Sequence, residues 1–331
     1  MGLRTTTANK DNFTLKSVYK YDINGFVKAE KNGMIGKENN TSFTKNLMML
    51  IISQLVIKLL GFVYRIVMMN IPGFGDVGKG FYNSGYQIYA ILLTVSSVGI
   101  PTVISKLVAE RVGKGDNKGA HRIFKISLVM FTSIGLMLSL ALFFFAEQIA
   151  TFVLNIPEIG HILRALAPAI VFVAVSAVLR GYFAGLGSMK AASVSQTLEQ
   201  FLKCVLTITL VYSFIGSDPV IMAAAGNLAT TLAIIVSFSY LFVFYQRRRK
   251  GILEPIQNKE VSEEAKEKTW TLVKAILVIS VPMTLGSLVG IINGTIDTIT
   301  IARVVQGTYE GVLTRPEELR AYAMELVRNA C

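Results

Sequence analysis

The chain has 331 residues, 52% hydrophobic and only 16% charged, with a mean hydropathy of +0.53. Soluble domains carry about a quarter charged residues, so an ordinary soluble domain is excluded, and the lack of short alternating strand patterns excludes a bacterial β-barrel. The formal charge of +12, from 33 Lys and Arg against 21 Asp and Glu, would point to nucleic acid in a soluble protein; here much of the excess lies in loops, where membrane topology accounts for it and no nucleic-acid partner is implied.

Residues 1–44 are polar, rich in Lys, Asn, Gly and Thr, and lack the apolar core of a secretory signal. They read as a disordered cytoplasmic tail. Gly2 with Thr6 matches a myristoylation pattern, but one acyl chain adds little to a multi-spanning protein. Asn12 and Asn39 open glycosylation sequons that a cytoplasmic tail leaves unused.

Seven apolar runs follow, over residues 46–70, 82–107, 122–147, 161–186, 191–215, 219–245 and 272–302. About 20 apolar residues suffice for a helix to span a bilayer. The expected fold is an all-α polytopic membrane protein, with a six-helix lobe over 45–245 and a seventh helix over 272–302. Loop charge sets the orientation. Lys106, Arg111, Lys114, Lys118, Arg122 and Lys125 lie in the loop between spans two and three or at the span ends that flank it, Lys190 between four and five, and the run Arg247–Lys250 with further Lys residues between six and seven. The intervening loops hold only Lys79. This alternation predicts a cytoplasmic N-terminus.

The first span carries residues that a simple anchor would not. Gln54, Lys58, Gly61 and Arg65 share one stripe at helical spacing. A Lys or Arg near mid-membrane costs about 2.5–3.5 kcal/mol on insertion scales. That cost falls where the stripe faces a wet cavity, so the span predicts a polar pathway. Further ionisable residues lie in later spans: Arg180 in the fourth, Glu199 and Lys203 one helical turn apart in the fifth, with Gln196 and Gln200 on the same face, and Asp297 in the seventh beside Asn293. Among these singled-out residues, four cations (Lys58, Arg65, Arg180, Lys203) stand against two anions (Glu199, Asp297). Pairing alone leaves two positive charges over, which suits a phosphate or pyrophosphate head group. Each residue has a plainer reading beside this one. Glu199 and Lys203 can pair with each other, Arg180 and Arg65 can snorkel to an interface, and Asp297 divides between a proton or cation site and a capping role. Lys58 is hardest to explain away.

Residues 246–271 mix both charge signs, including Glu263, Glu264 and Glu267, and read as a cytoplasmic linker. After the seventh span, Thr314-Arg315-Pro316-Glu317-Glu318 opens a short amphipathic helix within an extracytoplasmic segment, 303–331. The odd span count and the lone seventh helix predict a truncated portion of a longer protein.

Gly73-Phe74-Gly75-Asp76-Val77-Gly78 fits G-x-G-x-x-G, and Gly73–Gly80 nearly fits a P-loop. Both motifs need a strand before and a phosphate-cradling helix after; here two spans flank them, and a tight turn is expected. Cys204 and Cys331 provide no disulfide framework and no metal spacing, and His121 and His161 each stand alone near a predicted helix end, where a His is usually solvated, so neither metal nor cofactor is expected. Pro101, Pro168 and Pro282, with glycines such as Gly286 and Gly290, fit ordinary membrane packing or the hinges of a rocking bundle. Tyr82 and Tyr86 fit either an aromatic belt or stacking on sugar rings.

The run Lys58-Leu59-Leu60-Gly61-Phe62-Val63-Tyr64-Arg65 resembles the first helix of MurJ-type lipid II flippases. Arg180-Gly181-Tyr182-Phe183-Ala184-Gly185 with Met189, Ser195-Gln196 and Glu199-Gln200, Ser105-Lys106-Leu107-Val108, and the stretch from Pro282 to Asp297 are similar to the polysaccharide-biosynthesis and stage V sporulation protein B branch of the same MOP superfamily, which also holds the MATE multidrug exporters. The resemblance covers about 44–331. It implies two six-helix lobes, of which this chain would carry the first and one helix of the second. It also implies export of a lipid-linked glycan precursor by alternating access in a bacterial plasma membrane, without enzymatic chemistry. Lys58 matches a cavity cation of the flippases, whereas Arg65 falls one place later than their second cation.

Lys58, Arg65, Arg180 and Lys203, with Gln54 and Glu199, are therefore the candidate substrate-binding residues, and Asp297 and Glu199 the candidates for coupling to a proton or cation. The expected partners are a lipid-linked glycan and membrane lipids. Two rivals remain: a cation-coupled multidrug exporter, whose cavity should be anionic, and a non-transporting scaffold for wall assembly.

Overall fold

The computed structural model describes residues 37–257 and 269–309. The chain divides into two units, Met1–Leu47 and Met48–Cys331. Of the first, only residues 37–47 are described, as helix; the helical bundle belongs to the second. The described residues form nine helices: α1 (Lys37–Met69), α2 (Gly75–Ser97), α3 (Ile100–Gly113), α4 (Asn117–Phe144), α5 (Ala146–Leu154), α6 (Ile159–Gly185), α7 (Met189–Ser213), α8 (Pro219–Gln257) and α9 (Thr269–Tyr309). The amphipathic helix expected after Thr314 and most of the expected tail lie outside the described residues.

Among the described residues, six stretches are long and apolar enough to cross a membrane: 48–69, 77–113, 117–144, 159–185, 219–249 and 269–297. The expectation of an all-α multi-pass membrane protein is met. α7 is less apolar because it carries Lys190, Glu199 and Lys203, yet it packs along α8 and α6 in the same bundle. Large apolar side chains such as Leu59 (64% exposed) and Phe144 (67%) point outward. In water such a surface would demand a partner; in lipid it is the expected exterior.

The second expected span, 82–107, is two helices rather than one. Gly99 takes φ 81°, a left-handed conformation that costs glycine nothing, and Pro101 sits in the first turn of α3, where its missing N–H is not needed. On the α2 side, Thr94 Oγ1 donates to the Ala90 carbonyl at 2.8 Å and Ser97 Oγ to the Leu93 carbonyl at 2.6 Å. These hydroxyls bond back to carbonyls one turn earlier in the last turns of α2, so that their polar groups are satisfied within the helix. The third expected span likewise ends at Phe144, and α5 follows as a separate short helix that buries Ala146, Ala150 and Leu154. Residues 246–257, expected to begin a linker, instead continue α8, and α9 runs to Tyr309.

α6 is the most buried helix and the axis of the bundle, with α8, α4, α3, α2 and α5 packed around it. Its small residues make the close approaches possible. A Cβ on Gly181 would lie 2.7 Å from the Pro101 carbonyl oxygen, and one on Gly185 2.7 Å from the Val108 side chain, so only glycine lets α3 come this near. The core divides along the bundle. One cluster, around Phe74, Tyr82, Leu163 and Met222, lies at the end that carries the α1–α2 and α7–α8 turns. The other, around Ile104, Phe124, Tyr182 and Leu241, lies toward the α3–α4 and α6–α7 turns.

Candidate functional site

The α1–α2 turn settles the place of the glycine motif. Gly73 (φ 78°) and Gly75 (φ 42°) take left-handed conformations, and α2 starts at Gly75 with no strand before it. The motif is a tight turn between two membrane helices, as expected. The early start of α2 has a consequence, however. Lys79 is a helical residue, and Lys79, Tyr82, Asn83 and Tyr86 recur at helical spacing on one face.

That face, the polar stripe of α1 and one face of α7 enclose a cavity of about 500 Å³. α1 contributes Lys58, Gly61, Tyr64 and Arg65; α2 contributes Lys79, Tyr82, Asn83 and Tyr86; α7 contributes Gln200 and Lys203. α1 is held across it by side chains. Gln54 Nε2 donates to Gln196 Oε1 at 2.9 Å, and Cys204 Sγ donates to the Leu60 carbonyl at 3.5 Å. Lys58 and Arg65 remain exposed within this arrangement.

The electrostatics are one-sided. Lys58, Arg65, Lys79 and Lys203 all line the cavity, and no carboxylate does among the described residues. None of the four forms a salt bridge among the described residues. Arg65 and Lys79 lie close enough to repel each other. Lys203 Nζ stands 4.5 Å from the centroid of the Tyr86 ring, whose negative face is a weak substitute for an anion. Tyr86 is itself stacked with Tyr82, with ring centroids 6.5 Å apart and planes 4° from parallel. Like charges at bilayer depth are costly unless something negative joins them.

Arg180 and Glu199 are elsewhere. Arg180 does not line the cavity: its Nη2 bonds Glu199 Oε2 at 2.5 Å and Ser237 Oγ at 3.2 Å, and its Nε donates to Ser195 Oγ at 3.0 Å. The two hydroxyls are anchored in turn, Ser237 Oγ donating to the Ser195 carbonyl at 2.9 Å and Ser195 Oγ to the Ala192 carbonyl at 2.9 Å. Glu199 thus pairs across helices with Arg180, not with Lys203 on its own helix. Asp297 is exposed on α9 and outside the cavity. His121 Nδ1 lies 3.1 Å from Tyr182 Oη in the second core cluster, far along the bundle from the cavity residues.

Of the residues singled out from sequence, the structure therefore brings Lys58, Arg65 and Lys203 together, sets Gln54 one turn beyond, and moves Arg180 and Glu199 into a separate neutral cluster. Sequence reasoning misses Lys79, because it counts there as loop charge. Its spacing from Tyr82 and Tyr86 is the signal, readable once α2 is extended back through the turn.

Comparison with known proteins agrees with the architecture. Residues 43–327 match the family described as polysaccharide biosynthesis protein. Stage V sporulation protein B of Bacillus subtilis (strain 168) is 29% identical over 86% of this chain and 54% of its own length. The lipid II flippase MurJ of the same organism is 25% identical over 59% of this chain and 38% of its own. The chain spans about half the length of the curated relatives it matches. Among solved structures, a MATE protein in complex with MaD3S aligns with a TM-score of 0.62 at 16% identity, covering 87% of this chain and 64% of that one. A MOP superfamily transporter from Pyrococcus furiosus, described as having a binding pocket of reverse polarity, aligns at 0.60 and 16%, covering 87% and 63%. At these identities the structural likeness shows the fold.

Proposed function

The chain belongs to the polysaccharide biosynthesis protein family, and on that premise we propose that it forms the anion-binding part of a flippase for a lipid-linked glycan precursor. The observation that carries the reading is the cavity in which Lys58, Arg65, Lys79 and Lys203 converge with no lining carboxylate among the described residues. A pyrophosphate between a prenyl chain and a sugar supplies the missing negative charge. Arg65 offers a forked donor set to its oxygens, and the three lysines offer compact charges. Asn83, Gln200 and the tyrosines supply neutral hydrogen-bonding and stacking surface for the adjoining saccharide.

The membrane helices run with the N-terminus in the cytoplasm, so that the α1–α2 turn and the cavity mouth face outward. The substrate crosses by alternating access, with an ion or potential gradient as the driving force. Asp297, a span carboxylate with no ion pair among the described residues, is the group left to sense that gradient. The same cavity argues against a cation-coupled drug exporter, since organic cations would meet four positive charges and no carboxylate among the described lining residues.

The test is translocation of an undecaprenyl-pyrophosphate-linked saccharide by the intact protein in vesicles. Lys58→Ala should lower the rate about tenfold, the scale of one lost charge-assisted contact. An unchanged rate would remove Lys58 from the binding site.

A further inference from the structure

Lys203 and Glu199 lie four residues apart on α7, the spacing at which an acid and a base on one helix normally meet. They do not meet here. Lys203 lines the cavity and rests on Tyr86, while the Glu199 carboxylate is drawn to Arg180 on α6. Arg180 is fixed from three directions, by Glu199 on one side and by Ser195 and Ser237 on the others, and its side chain is only 11% exposed. It is not among the residues lining the cavity.

We propose that Arg180 is a positioning residue: by holding the Glu199 carboxylate, it keeps the Lys203 ammonium out of a direct salt bridge and available to an anionic ligand in the cavity. The physical basis is competition for one carboxylate. In a site of low dielectric, an unpaired carboxylate one helical turn from an unpaired ammonium closes the gap. The result is an internal salt bridge, which removes one of the four cavity charges and occupies the donor that the ligand needs. The Arg180 guanidinium wins because it offers a fork of donors and comes preorganised by two anchored hydroxyls, whereas Lys203 would have to leave the Tyr86 ring. The gain is local: Lys203 is the cation that α7 gives to the cavity, with neutral Gln200 one turn before it.

The positioning role rests on the anion-binding reading of the cavity, and the experiment separates the two. Binding of inorganic pyrophosphate and of farnesyl pyrophosphate to the intact protein in nanodiscs is measured for wild type, Arg180→Gln, Glu199→Gln and the double variant. Arg180→Gln should weaken binding about tenfold, although Arg180 never meets the ligand. Glu199→Gln should bind as wild type does, since Lys203 stays free. The double variant should recover to within about twofold of wild type, because no carboxylate remains to capture Lys203. A direct ligand contact by Arg180 predicts no such recovery, so a double variant as weak as Arg180→Gln overturns the proposal.

A second readout needs no substrate. Labelling of Lys203 by trinitrobenzenesulfonate, followed by peptide mass mapping, should slow in Arg180→Gln and return in the double variant. Unchanged labelling in Arg180→Gln overturns the proposal whatever the binding data show. If wild type binds neither pyrophosphate but the labelling pattern holds, the cavity reading fails and the positioning role stands. Should Arg180→Gln not fold, Ser195→Ala/Ser237→Ala loosens the guanidinium while leaving both charges, and should give the same pattern at reduced size; wild-type labelling in that variant counts against the proposal.

Discussion

The Arg180 cluster and the cavity both hold Arg or Lys within membrane helices, and they solve the same problem in opposite ways. Around Arg180 the charge is answered within the protein: one carboxylate and two anchored hydroxyls take up the guanidinium donors, and the cluster is mostly closed to solvent. In the cavity between α1, α2 and α7 four cations face one open volume without an acid among the described lining residues. A neutral cluster can serve the fold alone. A cationic one is a standing cost to the fold, retained where something negative must be held. A charge inside a span therefore says little until its partner is known.

The contrast is most easily broken at Glu199. Glu199→Ala leaves the Arg180 guanidinium without its counter-charge in a largely closed site, and losing one partner of such a pair costs about 3 kcal/mol. Thermal unfolding of the detergent-solubilised protein should register this as a clear drop in midpoint. A midpoint equal to wild type would mean that the pair is ornamental and the contrast false.

Lys203→Met should do the reverse. The thioether side chain fills similar space without an ammonium, so the folded state should be as stable as wild type or more so. Transport should fall about tenfold. A destabilised Lys203→Met with normal transport would place Lys203 with Arg180, as a structural charge.

Lys79→Gln is the gentlest probe. Lys79 is partly exposed at the start of α2 and shares its surroundings with Arg65, so its contribution should be long-range and screened by salt. Pyrophosphate binding should weaken about threefold at low ionic strength and hardly at all in high salt. Equal loss at both salt concentrations would turn Lys79 from a steering charge into a direct contact.

Part of this arrangement is legible without coordinates. Lys58 and Lys203 stand out because their cost in a membrane helix is large whatever the surroundings, and the stripe from Gln54 to Arg65 can be read from helical periodicity alone. Other parts are not. The Glu199–Lys203 spacing points to a pair within α7, and the actual partner, Arg180, comes from α6, 19 residues away; periodicity ranks neighbours on one helix and cannot rank them between helices. Lys79 is hidden by the turn motif beside it, since the start of α2 depends on how Gly73 and Gly75 turn. Gly99 and Pro101 are visible as residues, but only their φ and their position in α3 make them a break rather than a kink.

The sequence by itself determined that this chain is a bundle of membrane helices with more positive than negative charge inside its spans, because hydrophobic length and the cost of a buried cation are properties of single segments. Which charges are neutralised and which are left facing a cavity was decided only when α6, α7 and α8 packed together. Arg180, Glu199, Ser195 and Ser237 meet through tertiary contact, and electrostatic pairing depends on distances of a few ångströms that no linear spacing contains.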